Sequence, residues 1–469
     1  MLSKIIKSYA DRIFIETDRN ERFLYSDLGV CIKQMESLLE PRSLVCCLTN
    51  NSIGSIAGNL ALMEAKAVPM LLDLDVDPAL LQRLLSYYAP RYLWKPKVCS
   101  VAGLNKVVAL FTLGDYELVA YAPHVASLHP DLGLLLSTSG STGSPKFVRL
   151  SYRNVWSNAA SIAEFLDLTC EERPITTLPA HYSYGLSVIN SHVLVGATIL
   201  VTNTSVMQRE FWTFAKAARA SSIAGVPYTY EMLRRLRFFS MDLPDLRTMT
   251  QAGGKFARER IGEFVKFAKD QQKVFVVMYG QTEATARMSY LPFNMAEEKL
   301  GSVGVAIPGG EFFLLDDSGA PIDEPGVTGN LMYRGPNVSM GYAECAQDLA
   351  LGDVRLGLLD TGDLASRDED GFYFLWGRTS RFVKVYGNRI GLDEVESLAK
   401  QVTPDCACTG VDDLISVFVT EDGLREPMRA FLADKTGLNR RAFEVRLVQS
   451  IPKNSSGKIQ YGSLSGVTQ

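Results

Sequence analysis

"LGLLLSTSGSTGSPKFVRLS", residues Leu132 to Ser151, sets an apolar run against a run of small and hydroxylated residues, followed by a Pro-Lys pair. Leu132–Leu136 reads as a strand, and the polar residues as the loop into which it runs. Gly140 and Gly143 permit backbone angles that other residues resist. Successive N–H groups in such a turn converge on an anion. Ser137, Thr138, Ser139, Ser141 and Thr142 add hydroxyls, Lys146 adds a charge, and Pro145 limits how the loop exits. The Walker-type phosphate loop is excluded, because its lysine follows Gly and precedes Ser or Thr, whereas Lys146 stands between Pro145 and Phe147. The stretch predicts a phosphate held at the end of a strand.

Outward from it, residues 44–47, 68–72, 197–201 and 274–278 read as further short buried strands, and Ile53–Glu64 and Val206–Ala220 as helices between them. Strands alternating with helices predict an α/β fold with mostly parallel sheets. Residues 301–375 carry many Gly, Pro and Asp turns between short apolar runs, which predicts a β-rich region built as a small β-barrel. After Gly377-Arg378 the chain restarts with Phe382, Val383 and Val385, then the helix Leu392–Lys400. The division expected is a large domain over 1–379 and a small mobile α+β domain over 380–469. A chain of 469 residues exceeds what one core usually holds.

With 47% hydrophobic and 21% charged residues and a net charge of −4, the chain reads as an ordinary globular protein without the basic excess of a nucleic-acid binder. Its eight cysteines have no CxxC spacing, and its four histidines form no HExxH pattern. Free thiols, the lack of a signal-peptide pattern at the start, and the lack of an apolar run long enough to span a membrane lead to an expected cytoplasmic location.

Four more segments follow the loop. They are Tyr279-Gly280-Gln281-Thr282-Glu283, Asp360-Thr361-Gly362-Asp363-Leu364, Gly377-Arg378 with Lys384-x-x-Gly387, and Pro452-x-x-x-Ser456-Gly457-Lys458. In this order and spacing the chain resembles the adenylate-forming enzymes, the superfamily of acyl-CoA synthetases, peptide-synthetase adenylation domains and luciferases. Weaker echoes run from Tyr9-Ala10-Asp11-Arg12 to the end.

The resemblance implies an enzyme that joins a carboxylic acid to AMP with release of pyrophosphate, then passes the acyl group to a thiol. It implies ATP and Mg²⁺, with coenzyme A or a phosphopantetheine carrier protein as acceptor. Thr138, Ser139, Gly140, Ser141, Thr142, Gly143 and Lys146 would hold the β- and γ-phosphates. Tyr279, Gly280, Gln281, Gly253 and Gly254 would surround the adenine. Thr282 would reach the α-phosphate, and Glu283 would offer Mg²⁺ a hard oxygen. Asp363 would accept the ribose hydroxyls, and Arg378 would lie close to ribose and phosphates. Ser380 takes the hinge position, where the family usually has Asp or Lys. Lys458 would bridge the carboxylate and the α-phosphate during adenylation. Two such anions about 4 Å apart repel by roughly 4 kcal/mol at an effective dielectric near 20.

Leu178–Leu186 resembles the family's aromatic and histidine segment beside the acyl pocket. His181, Tyr184 and Gly185, with Val226, Pro227, Tyr228 and Gly254, are the candidate pocket residues, and Tyr228 and Lys255 are bulkier or more charged than the family pattern. No Asp lies between Asp167 and Asp242, which speaks against an α-amino acid. Residues 403–430 look compressed, which leaves coenzyme A, a carrier protein or an amine open as acceptor. A carrier-loading enzyme, a silent nucleotide-binding regulator and a luciferase-type oxygenase are the competing readings.

Overall fold

A computed structural model describes residues 2–101, 108–121, 127–137, 146–378, 381–386, 388–453 and 459–465, without the side chains of 382, 384, 388, 389 and 465. The loop residues Thr138 to Gly143, the hinge residue Ser380 and Lys458 lie outside the described residues. Two compact units result. Of the described residues, one takes those up to Glu311 and Arg334–Leu359; the other takes Phe312–Tyr333 and those from Asp360 onward.

The first unit contains two large sheets. At the centre of the eight-stranded sheet, Leu44–Thr49 and Val68–Asp73 run parallel in register, Leu44 beside Val68 and Thr49 beside Asp73. Their near-continuous apolar sequences reflect burial on both faces, the mark of a covered parallel strand. Leu132–Ser137 extends this sheet in parallel and then pairs antiparallel with Phe147–Ser151. The strand that runs into the opening loop is therefore where the sequence puts it. In the nine-stranded sheet, Ser222–Gly225, Thr248–Gln251 and Val274–Tyr279 are parallel neighbours, so Val226, Ala252-Gly253-Gly254 and the segment after Tyr279 leave the sheet at the same edge. Such carboxyl-end edges are where α/β sheets bind ligands.

Ile53–Glu64 is a helix as expected, started by Ser52, whose hydroxyl accepts the Ser55 N–H. The second expected helix is shorter, Arg209–Ala217, because Gln208 N–H closes a turn on Ser205 and the chain turns off again at Arg219.

The β-rich region divides. Val305–Ala306 joins the nine-stranded sheet and Gly341–Ala343 the eight-stranded one. The remainder, Glu311–Leu315, Thr328–Arg334, Leu358–Arg367 and Tyr373–Arg378, forms a four-stranded sheet in that order where a small barrel is expected. Arg149 fixes the excursion of 340–352: buried to 1% exposure, it donates to the carbonyls of Met340, Tyr342, Leu351 and Gly352.

In the second unit, Val383, Val385, Leu392, Val395, Ile415, Val417, Met428, Leu432 and Phe443 belong to one buried cluster that draws only on residues past 380. The compressed stretch is a hairpin, Cys406–Val411 and Leu414–Val419, joined by Asp412-Asp413 with Asp413 left-handed at φ 66°. No helix among the described residues is long and apolar enough to cross a membrane.

A core made only from residues past 380 has a consequence. Removing 381–469 is expected to leave a remainder that melts cooperatively and still binds ATP. Non-cooperative melting of the remainder, followed by calorimetry, would place the boundary elsewhere.

Candidate active site

The strand Val274–Tyr279 leads into Gly280-Gln281 and a short 3-10 turn, Thr282–Ala284. A Cβ on Gly280 would stand 1.7 Å from the Ala286 carbonyl oxygen, so only glycine fits where the chain doubles back. Thr285 takes φ 66°, a left-handed setting that costs a β-branched residue on the order of 1–3 kcal/mol. The surroundings hold it there. The Thr285 hydroxyl donates to the Asn337 carbonyl at 2.7 Å, and the Asn337 amide donates to the carbonyls of Ala284 and Arg287 at 2.9 and 3.0 Å. The Ser339 N–H donates to the Glu283 carbonyl at 2.9 Å. The Thr282 and Ser183 hydroxyls are 3.1 Å apart, which ties this turn to the helix Ser183–Leu194.

Glu283 accepts the Tyr342 hydroxyl on one carboxylate oxygen at 2.8 Å. The Lys146 ammonium lies 3.5 Å from the centre of the Tyr342 ring, and the Arg355 guanidinium 4.9 Å from it. Burial and the Glu283 carboxylate push the Tyr342 phenol up to about 12, so it remains a donor at neutral pH. Tyr342 reaches this place by strand pairing: in the Gly341–Ala343 strand it sits opposite Val148, with Ala343 opposite Phe147, the residue after Lys146. The carboxylate and the lysine that the sequence assigns to metal and phosphates thus meet on one tyrosine. Among the described residues no group of three His, Cys, Asp or Glu side chains forms a metal cage. A single carboxylate suits Mg²⁺ that arrives with a triphosphate, because this ion takes one or two carboxylates and fills its shell with phosphate oxygens and water.

On the acyl side, His181, Tyr182 and Tyr184 diverge. His181 turns toward the ends of Leu44–Thr49 and Val68–Asp73. Its Nδ1 is 3.2 Å from the Thr49 hydroxyl, and its Nε2 is 3.6 Å from the Asp73 carboxylate. Burial lowers its pKa against the pull of Asp73. Tyr182 reaches Gly253 instead: its hydroxyl lies 2.5 Å from where a Cβ on that left-handed glycine (φ 85°) would stand. Tyr184 is buried and donates to the Thr250 carbonyl at 2.8 Å. Gly185 abuts the Pro179 carbonyl. Val226 is buried ahead of the helix Pro227–Arg235, while Gly254 and Lys255 are exposed. Tyr228 is 56% exposed, because Thr229 and Tyr230 take the inward face of that helix.

In the second unit, Asp363 and Arg378 are cross-strand partners, with Nε 3.3 Å from the carboxylate. Asp363 is buried and Arg378 more than half exposed. Spacing alone does not reveal that these two form a pair. Nor does it reveal Tyr342, Tyr182, Arg287 or the Thr49–Asp73 cradle, since the partners of each lie far away in sequence or outside a recognised motif.

The family model described as "AMP-binding enzyme" matches residues 6–343. The chain belongs to the AMP-binding enzyme family. It is 28% identical over 347 residues to a feruloyl-CoA synthase of Amycolatopsis sp, covering 71% of this chain and 69% of that one. It is 27% identical over 342 residues to a 2-succinylbenzoate–CoA ligase of Listeria innocua, covering 70% and 69%. Among solved structures it resembles the o-succinylbenzoate CoA synthetase of Bacillus subtilis in complex with its acyl-adenylate intermediate. The TM-score is 0.81 at 20% identity, covering 100% of this chain and 98% of that one. The same enzyme with ATP and magnesium ion gives 0.79 at 21% identity, covering 99% and 98%. The fold therefore extends over the part of the chain that lies beyond the family model.

Tyr342→Phe removes a hydrogen bond to a charged group and is expected to weaken use of MgATP by roughly 10- to 100-fold. Titrating pyrophosphate release against Mg²⁺ and against ATP checks this. An unchanged Mg²⁺ requirement in both Tyr342→Phe and Glu283→Ala would remove Glu283 as the metal's ligand.

Proposed function

We propose that the protein is an AMP-forming acid–CoA ligase. A carboxylate oxygen attacks the α-phosphorus of ATP, the bond to the β-phosphate oxygen breaks, and pyrophosphate leaves. The coenzyme A thiolate then attacks the acyl carbon of the adenylate, AMP departs, and the thiol proton passes to solvent. The observation that carries this reading is the Glu283–Tyr342–Lys146 cluster, a carboxylate oxygen and a cation held on one ring. Membership of the AMP-binding family and relatives named as CoA ligases support it.

Each group has a task. Lys146 and the loop 138–143 take the β- and γ-phosphates. Thr282, with Ser183 beside it, donates to the α-phosphate. Glu283 holds Mg²⁺, which when bound offsets phosphate charge. Tyr279, Gly280, Gln281, Gly253 and Gly254 enclose the adenine. Asp363 accepts the ribose hydroxyls while Arg378 supplies positive charge beside it. His181, Tyr184, Gly185, Val226, Pro227 and Gly254 bound the acyl pocket, together with Tyr182. Residues 380–469 act as the mobile domain, with Ser380 at the hinge and Lys458 brought in for adenylation. Buried thiols such as Cys46, Cys47 and Cys408, raised by burial, suit the reducing cytoplasm.

Pyrophosphate release from MgATP with a panel of acids tests the reading. The expected products are AMP and a thioester only when coenzyme A is present. A bound adenylate that ignores coenzyme A would point to a carrier protein. Lys458→Ala is expected to slow adenylation by at least about 100-fold, within the range of one electrostatic stabiliser, while sparing thioester formation from a supplied acyl-adenylate. Equal loss of both steps would contradict a lysine used for one step only.

A further inference from the structure

Arg287 follows the Tyr279–Glu283 motif and has no role in the mechanism above. Its side chain is 2% exposed. The Nε–H points at the Met278 sulfur at 3.2 Å, Nη1 donates to the Ser187 hydroxyl, and the guanidinium lies 4.4 Å from the centre of the Tyr184 ring. Among the described residues no ion pair forms with it; its side-chain contacts are those to Met278, Ser187 and the Tyr184 ring. The two tyrosines it influences, Tyr182 and Tyr184, are neutral, since burial raises both phenols. Around them stand Leu178, Ala224, Val226, Ala252 and Val276.

A guanidinium does not lose its proton in a protein, so burial leaves it charged. A buried charge is ordinarily paired, because removing it from water without a counter-ion costs several kcal/mol. The other deeply buried arginine of this unit, Arg149, has four backbone carbonyls as acceptors. Arg287 has a thioether, one hydroxyl and a ring face. The Ser187 hydroxyl is itself committed, donating to the Tyr184 carbonyl at 2.6 Å. Tyr184 borders the acyl segment, and Tyr182 reaches Gly253. Among the described residues no carboxylate balances this charge, and in an acid-activating enzyme the acid can supply one from the acyl side.

We propose that the acid carries a second anionic group besides the carboxylate that is activated, and that Arg287 is the residue that reads it. The substrate class is a dianionic acid, one carboxylate facing Thr282 and the α-phosphate, the other facing Arg287. This rests on the ligase reading. Arg287 decides which acid enters; it takes no part in bond making.

Matched acids test it: succinate against its monomethyl ester and butyrate, and benzene dicarboxylates against their monomethyl esters and benzoate. Pyrophosphate release is measured with the wild-type protein, Arg287→Lys and Arg287→Met. The wild type is expected to favour a diacid over its half-ester by about 100-fold in kcat/KM, the size of a hydrogen bond to a charged group. In Arg287→Met that ratio falls toward one, chiefly through a higher KM for the diacid, and Arg287→Lys keeps part of it. If Arg287→Met does not fold, the wild-type ratio and the lysine variant decide. Half-esters or monoacids activated by the wild type as well as diacids would overturn the proposal and leave the ligase standing. A ratio unchanged in the variants would overturn it too. No release with any acid would overturn the ligase reading, and this proposal with it.

Discussion

Two anions must come within bonding distance in this protein, a carboxylate and a triphosphate, and everything around the site answers their repulsion. In water the penalty is screened; in a closed site it grows as the dielectric falls. Fixed cations and dipoles that act most strongly on the charge of the transition state are the remedy. The Lys146 ammonium and the Glu283 carboxylate come from two distant parts of the chain, and Tyr342 joins them; they are the groups proposed to meet that need. Tyr342 depends in turn on Arg149, which grips the backbone of 340–352 from within the sheet. The strained Thr285 belongs to the same arrangement, because Asn337, a few residues before Tyr342, holds its turn.

The parallel strands set the place. Because Ser222–Gly225, Thr248–Gln251 and Val274–Tyr279 run side by side in the same direction, their carboxyl ends share one edge. Leu44–Thr49 and Val68–Asp73 do the same in the other sheet, where they cradle His181. The helix Ser183–Leu194 contributes Ser183 to the Thr282 turn, and Tyr184 and Ser187 to Arg287. One helix thus ties the Thr282 turn to the buried Arg287.

Much of this is legible in the sequence, for physical reasons. A strand buried on both faces must be apolar throughout, so Leu44–Thr49 and Leu132–Ser137 announce themselves. A helix that opens with a serine cap, such as Ile53–Glu64, can be bounded closely. The apolar run ahead of the 136–146 stretch is legible too, and the structure forms the strand Leu132–Ser137 there. What depends on distant pairing is not legible. Tyr342 looks like any tyrosine on a short strand until its strand is laid beside Phe147–Ser151. The turns of 301–375 announce β structure but not that Val305–Ala306 and Gly341–Ala343 belong to different sheets. Spacing gives no way to choose among His181, Tyr182 and Tyr184, and the structure sends the histidine toward Asp73 and Tyr182 toward Gly253. Arg287 is silent in the sequence because an arginine there is ordinarily a surface residue; only its burial makes it informative.

The most direct measurement is acid-dependent exchange of labelled pyrophosphate into ATP in the absence of coenzyme A. If the protein brings a carboxylate against the α-phosphate as described, exchange appears with an accepted acid, requires Mg²⁺, and needs no thiol. Exchange that appears without any acid, or thioester formed from an acid that supports no exchange, would contradict an acyl-adenylate made in this site.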